Sequence, residues 1–441
     1  MPDTDLTTAY EAIKAKGPRM TALWNYYDGA HPLRYSTDRL RQMFDAIHVR
    51  FVENWCGVVV DSAMDRINLS GFVVTDNEPL TDRLNDAFLR TELSLDSDDA
   101  HLAALVTGEA FVIVWRNESG DTEAYYNDPR MCHVAYDPGS PRRKLWAAKQ
   151  WAGEDEHLRL TLYYRDRLEY YRSTKKAENV TTAKDLALES QEANPFGMIP
   201  VFHLRRDRRR VLGELDGITT VQDAVNKLFC DMMVSAEFAA YPQRYAITAA
   251  EMPDELRAMP GGVWDIPAGD GGGQASSVGQ LPAADLDNYL KAMDNLSHAI
   301  AIITRTPKHF FWGQAGSPSG EALIALEAPL NKKVTRYIER FSSPWRQLAT
   351  FLLRLEGQEI DPLEITPRWD RVETVQPRTQ SEITQLDVSA GVPLVTSLRR
   401  GGWDDAEIEQ MQADADEQRD RQSTLGDSIL RSFETQFGGG V

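Results

Sequence analysis

Two apolar stripes at helical spacing, separated by a stretch that neither helix nor strand can cross, constrain this chain most. Across residues 213–240, Leu215, Ile218, Val221, Val225, Leu228, Met232 and Phe238 recur every three to six positions. Across 284–304, Leu286, Leu290, Met293, Leu296, Ile300 and Ile303 do much the same. Between them lie Pro242, Pro253, Pro260, Gly261, Gly262, Pro267 and the run "GDGGGQ". Proline removes a backbone donor and glycine costs entropy in any regular element, so this segment breaks up. The spacing predicts two long helices around a small irregular insert with a short hairpin and helix. The first helix would be roughly 40 Å long at ~1.5 Å per residue. A third stripe runs through 321–356, from Leu323 and Leu326 to Leu352 and Leu355. Pro329 and Pro344 inside it predict kinks.

The rest of the chain sorts by period. Residues 1–50 look helical, with a break at Gly17-Pro18 and a turn at Asp28-Gly29 and Pro32. In 51–68, Val52, Trp55, Val59, Ala63 and Ile67 share one helical face, and 79–107 continues with Leu84, Phe88 and Leu95. From 108 the period drops to two. Phe111, Ile113 and Trp115 alternate with Val112 and Val114 before the turn Ser119-Gly120-Asp121, which predicts a hairpin. Further strands are expected at 131–136, 145–151, 157–163, 168–172 and 199–204, paired antiparallel through short turns. A short strand falls in "LEITPRWDRV", then acidic helices at 378–391, 393–400 and 404–434 and the flexible end "FGGGV". The fold class is α+β, mainly helical. Trp55, Trp115, Trp146, Trp151 and Trp369 read as core or interface anchors.

Charge excludes some functions. The 441 residues carry a net charge of −19, and 42% are hydrophobic, enough for a real core. Such acidity argues against a sequence-reading DNA binder, which needs cations against phosphates. The charge is also uneven. Residues 142–210 hold 16 Lys/Arg against 10 Asp/Glu, 211–305 hold 5 against 13, and 401–441 hold 3 against 10. Cys56, Cys132 and Cys230 are odd in number and far apart, which reads as buried free thiols in a reducing compartment. The N-terminal stretch is polar and reads as no signal peptide, and no apolar run approaches the ~20 residues that span a bilayer.

Enzyme motifs fail in turn. There is no G-x-x-x-x-G-K-[ST] and no H-E-x-x-H, and "GDGGGQASS" lacks the dinucleotide spacing. "GSPSG" at 316–320 places Pro318 where a nucleophilic serine would stand. The acidic residues show no ligand spacing and read as a solvated face. No catalytic residue, metal or cofactor is expected, and the chain is read as a non-enzyme.

Four segments in order carry a resemblance: "LWNYYDGAHPL" at 23–33, "NWCGVVVDSAMDRINLSGF" at 54–72, "NPFGMIPVFHL" at 194–204 leading to "GELDGITTVQDAVNKL", and "GSPSGEALIALEAPLNKKV" at 316–334. With the helix–insert–helix layout between the third and fourth, the chain resembles the portal (head-to-tail connector) proteins of tailed bacteriophages, of the type found in phages of actinobacteria. The resemblance implies a homo-oligomeric ring, a dodecamer in the virion, at one capsid vertex. Double-stranded DNA passes through its channel in packaging and ejection, driven by a separate terminase. Implied partners are the terminase large subunit, the head-completion (adaptor) protein and the major capsid and scaffolding proteins, with no membrane. The implied location is the virion, and the host cytoplasm during assembly.

Carried over by segment, 1–212 would be an α/β wing, 213–240 and 284–305 the two stem helices, and 241–283 a clip facing terminase and adaptor. Residues 306–320 would be the tunnel loop, 321–375 the rest of the wing with its long kinked helix, and 376–441 a helical crown and tail. Asp216, Asp223, Asp231, Asp287 and Asp294 become candidate channel-lining carboxylates, which would keep DNA from sticking. Lys227, Lys291 and Arg305 are candidates to pair with them across subunits. Lys308 and His309 become candidate DNA-facing residues of the tunnel loop, with Phe310, Phe311 and Trp312 as core or anchors. Arg205, Arg206, Arg208, Arg209 and Arg210 become candidates for a subunit interface or a DNA contact. Two other readings stand beside this one: a capsid-associated morphogenesis protein without a channel, and a carboxylate- and metal-dependent nucleic-acid enzyme.

Overall fold

Helix α1 (Pro2–Tyr27) runs through Gly17-Pro18 instead of breaking there. A proline inside a helix forfeits one hydrogen bond and crowds the preceding turn. Here Ile13, Met20 and Leu23, on both sides of it, are buried, and that packing holds the helix together. The structure, a computed structural model, describes residues 2–34, 52–117, 119–240, 244–247, 277–280, 285–311, 320–373, 377–403, 408 and 410–416. It divides into two compact units, Met1–Trp369 and Asp370–Val441.

In the first unit, α2 (Trp55–Met64) is shorter than the helical face read over 51–68. The Asn54 side chain caps it by accepting from Gly57 N–H. The chain then enters a strand that the sequence reading did not anticipate, β1 (Leu69–Val74), whose partner lies almost 300 residues away. Helices α3 (Glu78–Arg90) and α4 (Leu93–Thr107) follow. Helix α4 stops at Gly108, whose φ of 99° suits only glycine without strain, and where a Cβ would strike the backbone of Leu212. The switch from helix to strand is therefore immediate.

Strand β2 (Glu109–Arg116) lies between β3 (Thr122–Asn127) and β9 (Val201–Arg205), with both pairings antiparallel. Its first six residues are all buried, which explains the continuous apolar run. Phe111 and Ile113 join Cys132, Val134, Ala147, Tyr163 and Leu168 in one core cluster. Helix α4 packs on β2 and β3.

The second sheet is a five-stranded antiparallel meander: β4 (Cys132–Asp137), β5 (Ser140–Ala152), β6 (His157–Tyr163), β7 (Arg167–Lys176) and β8 (Leu186–Ala193). Alternation along β5 sends Ala147 to the first cluster. Trp146 and Ala148 go to a second, where Leu6, Ala9, Tyr10 and Ile13 of α1 cover Leu158, Leu160 and Leu162. Strand β8 was not anticipated. Only Leu186 of its eight residues is buried, so it carries no period-two signal.

Helix α5 (Thr219–Ala240) begins later than 213, because Leu215–Gly217 forms a separate 3-10 turn. Strands β10 (Arg244–Ile247) and β11 (Ser277–Gln280) pair antiparallel and draw the ends of the insert together. Residues 248–276, with the expected insert helix, lie outside the described residues. Helix α6 (Asp287–Thr304) closes the helix–insert–helix segment. Helix α7 (Gly320–Leu355) runs 36 residues through both Pro329 and Pro344. Its buried Phe341, Trp345, Leu348 and Phe351 pack it onto the body, with Phe351 5.8 Å from Phe202 of β9. Strand β12 (Ile365–Trp369) pairs with β1.

In the second unit, α8 (Pro377–Ser389) and α9 (Leu394–Arg400) are joined by a turn at Gly391, φ 90°. Ser397 Oγ donates to Asp387, 2.9 Å, tying the two helices. Most of the helix expected over 404–434 lies outside the described residues. All three cysteines are free and buried. Among the described residues no helix is long and apolar enough to cross a membrane.

Candidate functional site

Helices α5 and α6 contact each other, and Ser235 near the end of one is 3.0 Å from the Tyr289 hydroxyl near the start of the other, so they run antiparallel. The root of the pair lies where α5 starts and α6 ends, and two buried polar clusters hold it.

The first cluster grips α5. Gln222, Asp223 and Asn226 are all at most 2% exposed. Burying such groups is unfavourable unless they are hydrogen-bonded, and each is. Tyr26 of α1 donates its hydroxyl to Asp223, 2.8 Å, and stacks on His31 with ring centres 4.3 Å apart. Asn226 Nδ2 lies 2.8 Å from His31 Nε2, and Asn226 Oδ1 accepts from Glu53 N–H, 2.9 Å. Gln222 Oε1 accepts from Trp55 N–H, 3.0 Å. Burial and the Asp223 carboxylate both push the Tyr26 hydroxyl up, so it stays a donor. Three of the four segments that carry the resemblance meet at this point.

The second cluster centres on Glu214. Lys333 of α7 (3.2 Å), Arg206 (3.3 Å) and the Tyr337 hydroxyl all donate to it. Burial alone would raise this carboxyl, but the charges of Lys333 and Arg206 hold it below the usual range. Lys333 also donates to the Thr304 carbonyl at the end of α6, 2.7 Å, and Arg206 Nε to the Leu212 carbonyl, 2.6 Å. Arg340 of α7 donates to the Arg206 carbonyl. One buried carboxylate thereby links β9, the lead into α5, the end of α6 and the middle of α7.

Several residues expected from sequence land elsewhere. Asp216, a candidate channel carboxylate, is held within its own chain: Arg19 of α1 grips both its oxygens, 2.5 and 3.1 Å, and Gly213 N–H donates to it, 2.6 Å. Asp223, another candidate, is buried under Tyr26 with Arg34 3.9 Å away. Arg206 is half-buried and its guanidinium is engaged by Glu214. Asp231 pairs with Lys227 one turn back on the same helix, so Lys227 already has a partner within its own chain.

Asp294 of α6 binds Lys308, 2.8 Å. Asp287, Lys291 and Arg305 are exposed. His309 lies 3.9 Å from Glu327, Phe310 lies under Arg66 with 5.8 Å to its centroid, and buried Phe311 is 6.0 Å from Trp55. Residues 312–319, with Trp312, lie outside the described residues. Arg205 sits over the Tyr136 ring, 4.5 Å, and Arg208, Arg209 and Arg210 are exposed. Sequence reading missed Glu214, Lys333, Tyr337, Gln222 and Asn226. The available signal was a polar residue inside or beside an apolar helical stripe.

Among the described residues no group of three or more His, Cys, Asp or Glu is placed to hold a metal ion. What the geometry defines is a helix pair anchored at one end in a mixed α/β body, with an insert at the other.

The chain belongs to a family of phage structural proteins described as "Phage portal protein, SPP1 Gp6-like", whose model matches residues 10–421. It is 23% identical over 391 residues to the portal protein of Mycobacterium phage D29, spanning 80% of this chain and 76% of that protein. It is 22% identical over 363 residues to the portal protein of Mycobacterium phage L5, spanning 75% and 70%. Among solved structures, a chain from "Neck of empty GTA particle computed with C6 symmetry" matches with TM-score 0.46 and 13% identity, over 82% of this chain and 92% of that one. A chain from "Virion of native gene transfer agent (GTA) particle" matches with TM-score 0.45 and 12% identity, over 82% and 91%.

Proposed function

We propose that this portal-family chain is one subunit of a homo-oligomeric ring, a dodecamer in the virion, that forms a channel for double-stranded DNA at one capsid vertex. In this reading α5 and α6 are the stem and the insert between them is the clip. The clip receives the terminase large subunit during packaging and the head-completion protein afterwards. Residues 306–320 are the tunnel loop, and the second unit is the crown. Major capsid and scaffolding proteins meet the ring during assembly in the host cytoplasm, and the subunit does no chemistry of its own.

The observation that carries the reading is the root of the helix pair. It is fixed by two buried hydrogen-bonded clusters, while in the far half only Cys230 and Met293 are buried among the described side chains. That is the build expected when neighbouring copies supply the missing cover. Charge supports it: a conducting channel must not neutralise phosphates, and 211–305 carries 13 acidic against 5 basic residues. With Asp216 and Asp223 withdrawn, Asp231, Asp287 and Asp294 are the remaining candidates to line the channel. The test is negative-stain microscopy of the purified full chain across about 0.05 to 0.5 M salt, a range over which surface electrostatics weaken strongly. Rings with a central hole are expected. Monomers and small oligomers at every salt would overturn the reading.

A further inference from the structure

Two basic runs, "SPRRK" at 140–144 and "RRDRRR" at 205–210, meet in the fold. The first opens β5 and the second starts at the end of β9. A bulge brings them together. Trp146 of β5 pairs with Ala135 and Lys144 with Tyr136, so Leu145 is left without a partner on β4. A bulge of this kind re-aims the side chains beyond it. Trp146 joins the cluster under α1, whereas Lys144 reaches the other sheet. Its ammonium donates to the Val201 carbonyl of β9, 2.7 Å, and lies 5.2 Å from the centre of the Phe202 ring. From β9, Arg205 lies over the Tyr136 ring, 4.5 Å. Arg208 is close enough for its charge to act on the Tyr136 hydroxyl.

Exposed cations such as Lys291, Arg305 and Lys332 are solvated and need no partner. Lys144 and Arg205 differ. Both are half-buried, and among the described residues neither forms an ion pair. Burial and the Arg205 charge together lower Lys144, to about 8. Two like charges taken partly out of water side by side cost stability unless an anion joins them. The neighbouring carboxylates are engaged elsewhere. Glu109, 4% exposed, is held by Lys16 at 2.6 Å and His203 at 2.8 Å. Asp137 accepts from Gly139 N–H, 2.8 Å, and Asp207 from Arg209 N–H, 2.9 Å, each within its own turn. Their ion pairs, with Arg143 at 3.9 Å and Arg209 at 3.8 Å, use other cations of the two runs.

Lys144, Arg205 and Arg208 are flanked in sequence by the exposed Arg142, Arg143, Arg209 and Arg210, so the cations form a band and not a single contact point. One guanidinium suffices for a lone carboxylate. A band of cations fits a polyanion, and duplex DNA carries one phosphate per ~3.4 Å along each strand. We infer that the start of β5 and the end of β9 form a phosphate-binding surface for the backbone of double-stranded DNA, centred on Lys144, Arg205 and Arg208. This rests on the reading above for the presence of DNA, and adds a place where the chain grips it. A conducting channel needs a wall that does not grip, and this surface belongs to the sheets, not to the acidic α5–α6 pair.

The test measures anisotropy of a short fluorescein-labelled DNA duplex with the full chain, from about 0.05 to 0.2 M salt. The site variant is Lys144→Gln/Arg205→Gln/Arg208→Gln. The control, Lys175→Gln/Lys176→Gln/Lys184→Gln, removes the same charge from β7 and the turn after it. Each phosphate contact contributes ~0.9 to the slope of log affinity against log salt. The site variant is therefore expected to lose about 2 to 3 from that slope and on the order of a hundredfold in affinity at 0.05 M. The control should keep the wild-type slope. Ring formation of each chain is scored separately by end-on particle images.

Wild type that holds no DNA at the lowest salt overturns the inference, and so does an equal loss in site and control variants. A site variant that holds DNA like wild type but forms no rings would mean that the surface takes a protein carboxylate of a neighbouring copy, which also overturns it. Wild type that binds DNA through these residues yet never forms rings sinks the ring reading and leaves the inference standing. If the site variant does not fold, by circular dichroism, the exposed pair Arg142→Gln/Arg208→Gln replaces it. A slope smaller by about 1 to 2 is then expected, and an unchanged slope overturns the inference.

Discussion

The two halves of the α5–α6 pair carry the same kind of apolar stripe and end in different surroundings. At the root Gln222, Asp223, Val225 and Asn226 of α5, with Ser297, Ile300 and Thr304 of α6, are buried. In the far half Met233 and Leu290 are exposed at 38% and 39%, and Asp287, Asn288 and Lys291 lie open. The stripe fixes that a segment is helical and which side is apolar, but not what covers it. At the root the body supplies the cover and hydrogen-bonds the Gln222, Asp223 and Asn226 side chains that it buries. In the far half α5 and α6 have mainly each other.

The strongest way to break this contrast is at Glu214. Glu214→Gln removes the charge between Arg206 and Lys333 and leaves two cations facing each other in a buried site. Breaking a buried pair in this way costs roughly 3–5 kcal/mol. The urea midpoint of the unassembled chain should fall accordingly. Asp287→Asn in the far half should stay within about 0.5 kcal/mol of wild type. Equal effects at the two positions would remove the distinction between root and far half.

Acid should act on the buried side of the comparison too. His101 accepts from Trp345 Nε1, 2.8 Å, and burial lowers its pKa to about 3. His203 lies between Glu109 Oε2, 2.8 Å, and the Tyr136 hydroxyl, 3.1 Å, and burial lowers it to about 4 in spite of the nearby carboxylate. Between pH 6.5 and 4 the unfolded chain therefore binds protons that the folded chain refuses, so stability falls as pH falls through that window. By pH 5 each histidine contributes about 2 kcal/mol of loss. Urea midpoints at pH 7 and pH 5 check this, and His203→Gln should shrink the difference. A flat profile would mean that these rings protonate in place.

A smaller effect belongs to the α5 grip. Tyr26→Phe takes the donor from buried Asp223, and an unsatisfied buried acceptor costs roughly 1–3 kcal/mol. The same measurement checks it. A change below about 0.5 kcal/mol would mean that Arg34 alone satisfies Asp223.

How much of this was legible in sequence follows from what each residue reports. Strand β2 announced itself because all of Ala110–Val114 is apolar and buried, and α5, α6 and α7 because their stripes keep phase over many turns. Strand β1 was hidden, since its meaning lies in a partner near Ile365. Strand β8 was hidden because its side chains face solvent. The supposed break at Gly17-Pro18 overrated local propensity against the burial of Ile13 and Met20. Among site residues, the family resemblance makes Asp216 and Asp223 candidate channel-lining carboxylates. Nothing local reveals that Arg19 and Tyr26, about 200 residues earlier, reach them. Glu214 and Lys333 follow the same logic, because an ion pair between distant segments leaves no periodic trace.

The smallest effect is expected at Lys308. Its ammonium holds Asp294 at 2.8 Å, with side chains 27% and 39% exposed. A pair so open to water contributes only about 0–1 kcal/mol, so Lys308→Ala should barely move the urea midpoint. Close by in sequence, buried Phe311 packs beside Trp55, and the substitution leaves that contact alone. Ring assembly should therefore survive it, as judged by end-on particle images. The variant also frees Asp294 on α6, one more negative charge per copy in a proposed channel wall, so DNA should be held no more tightly than by wild type in a filter-retention assay at low salt. Loss of assembly would place Lys308 in a subunit contact and move the tunnel-loop boundary. Tighter DNA retention would show that Asp294 does not face the channel.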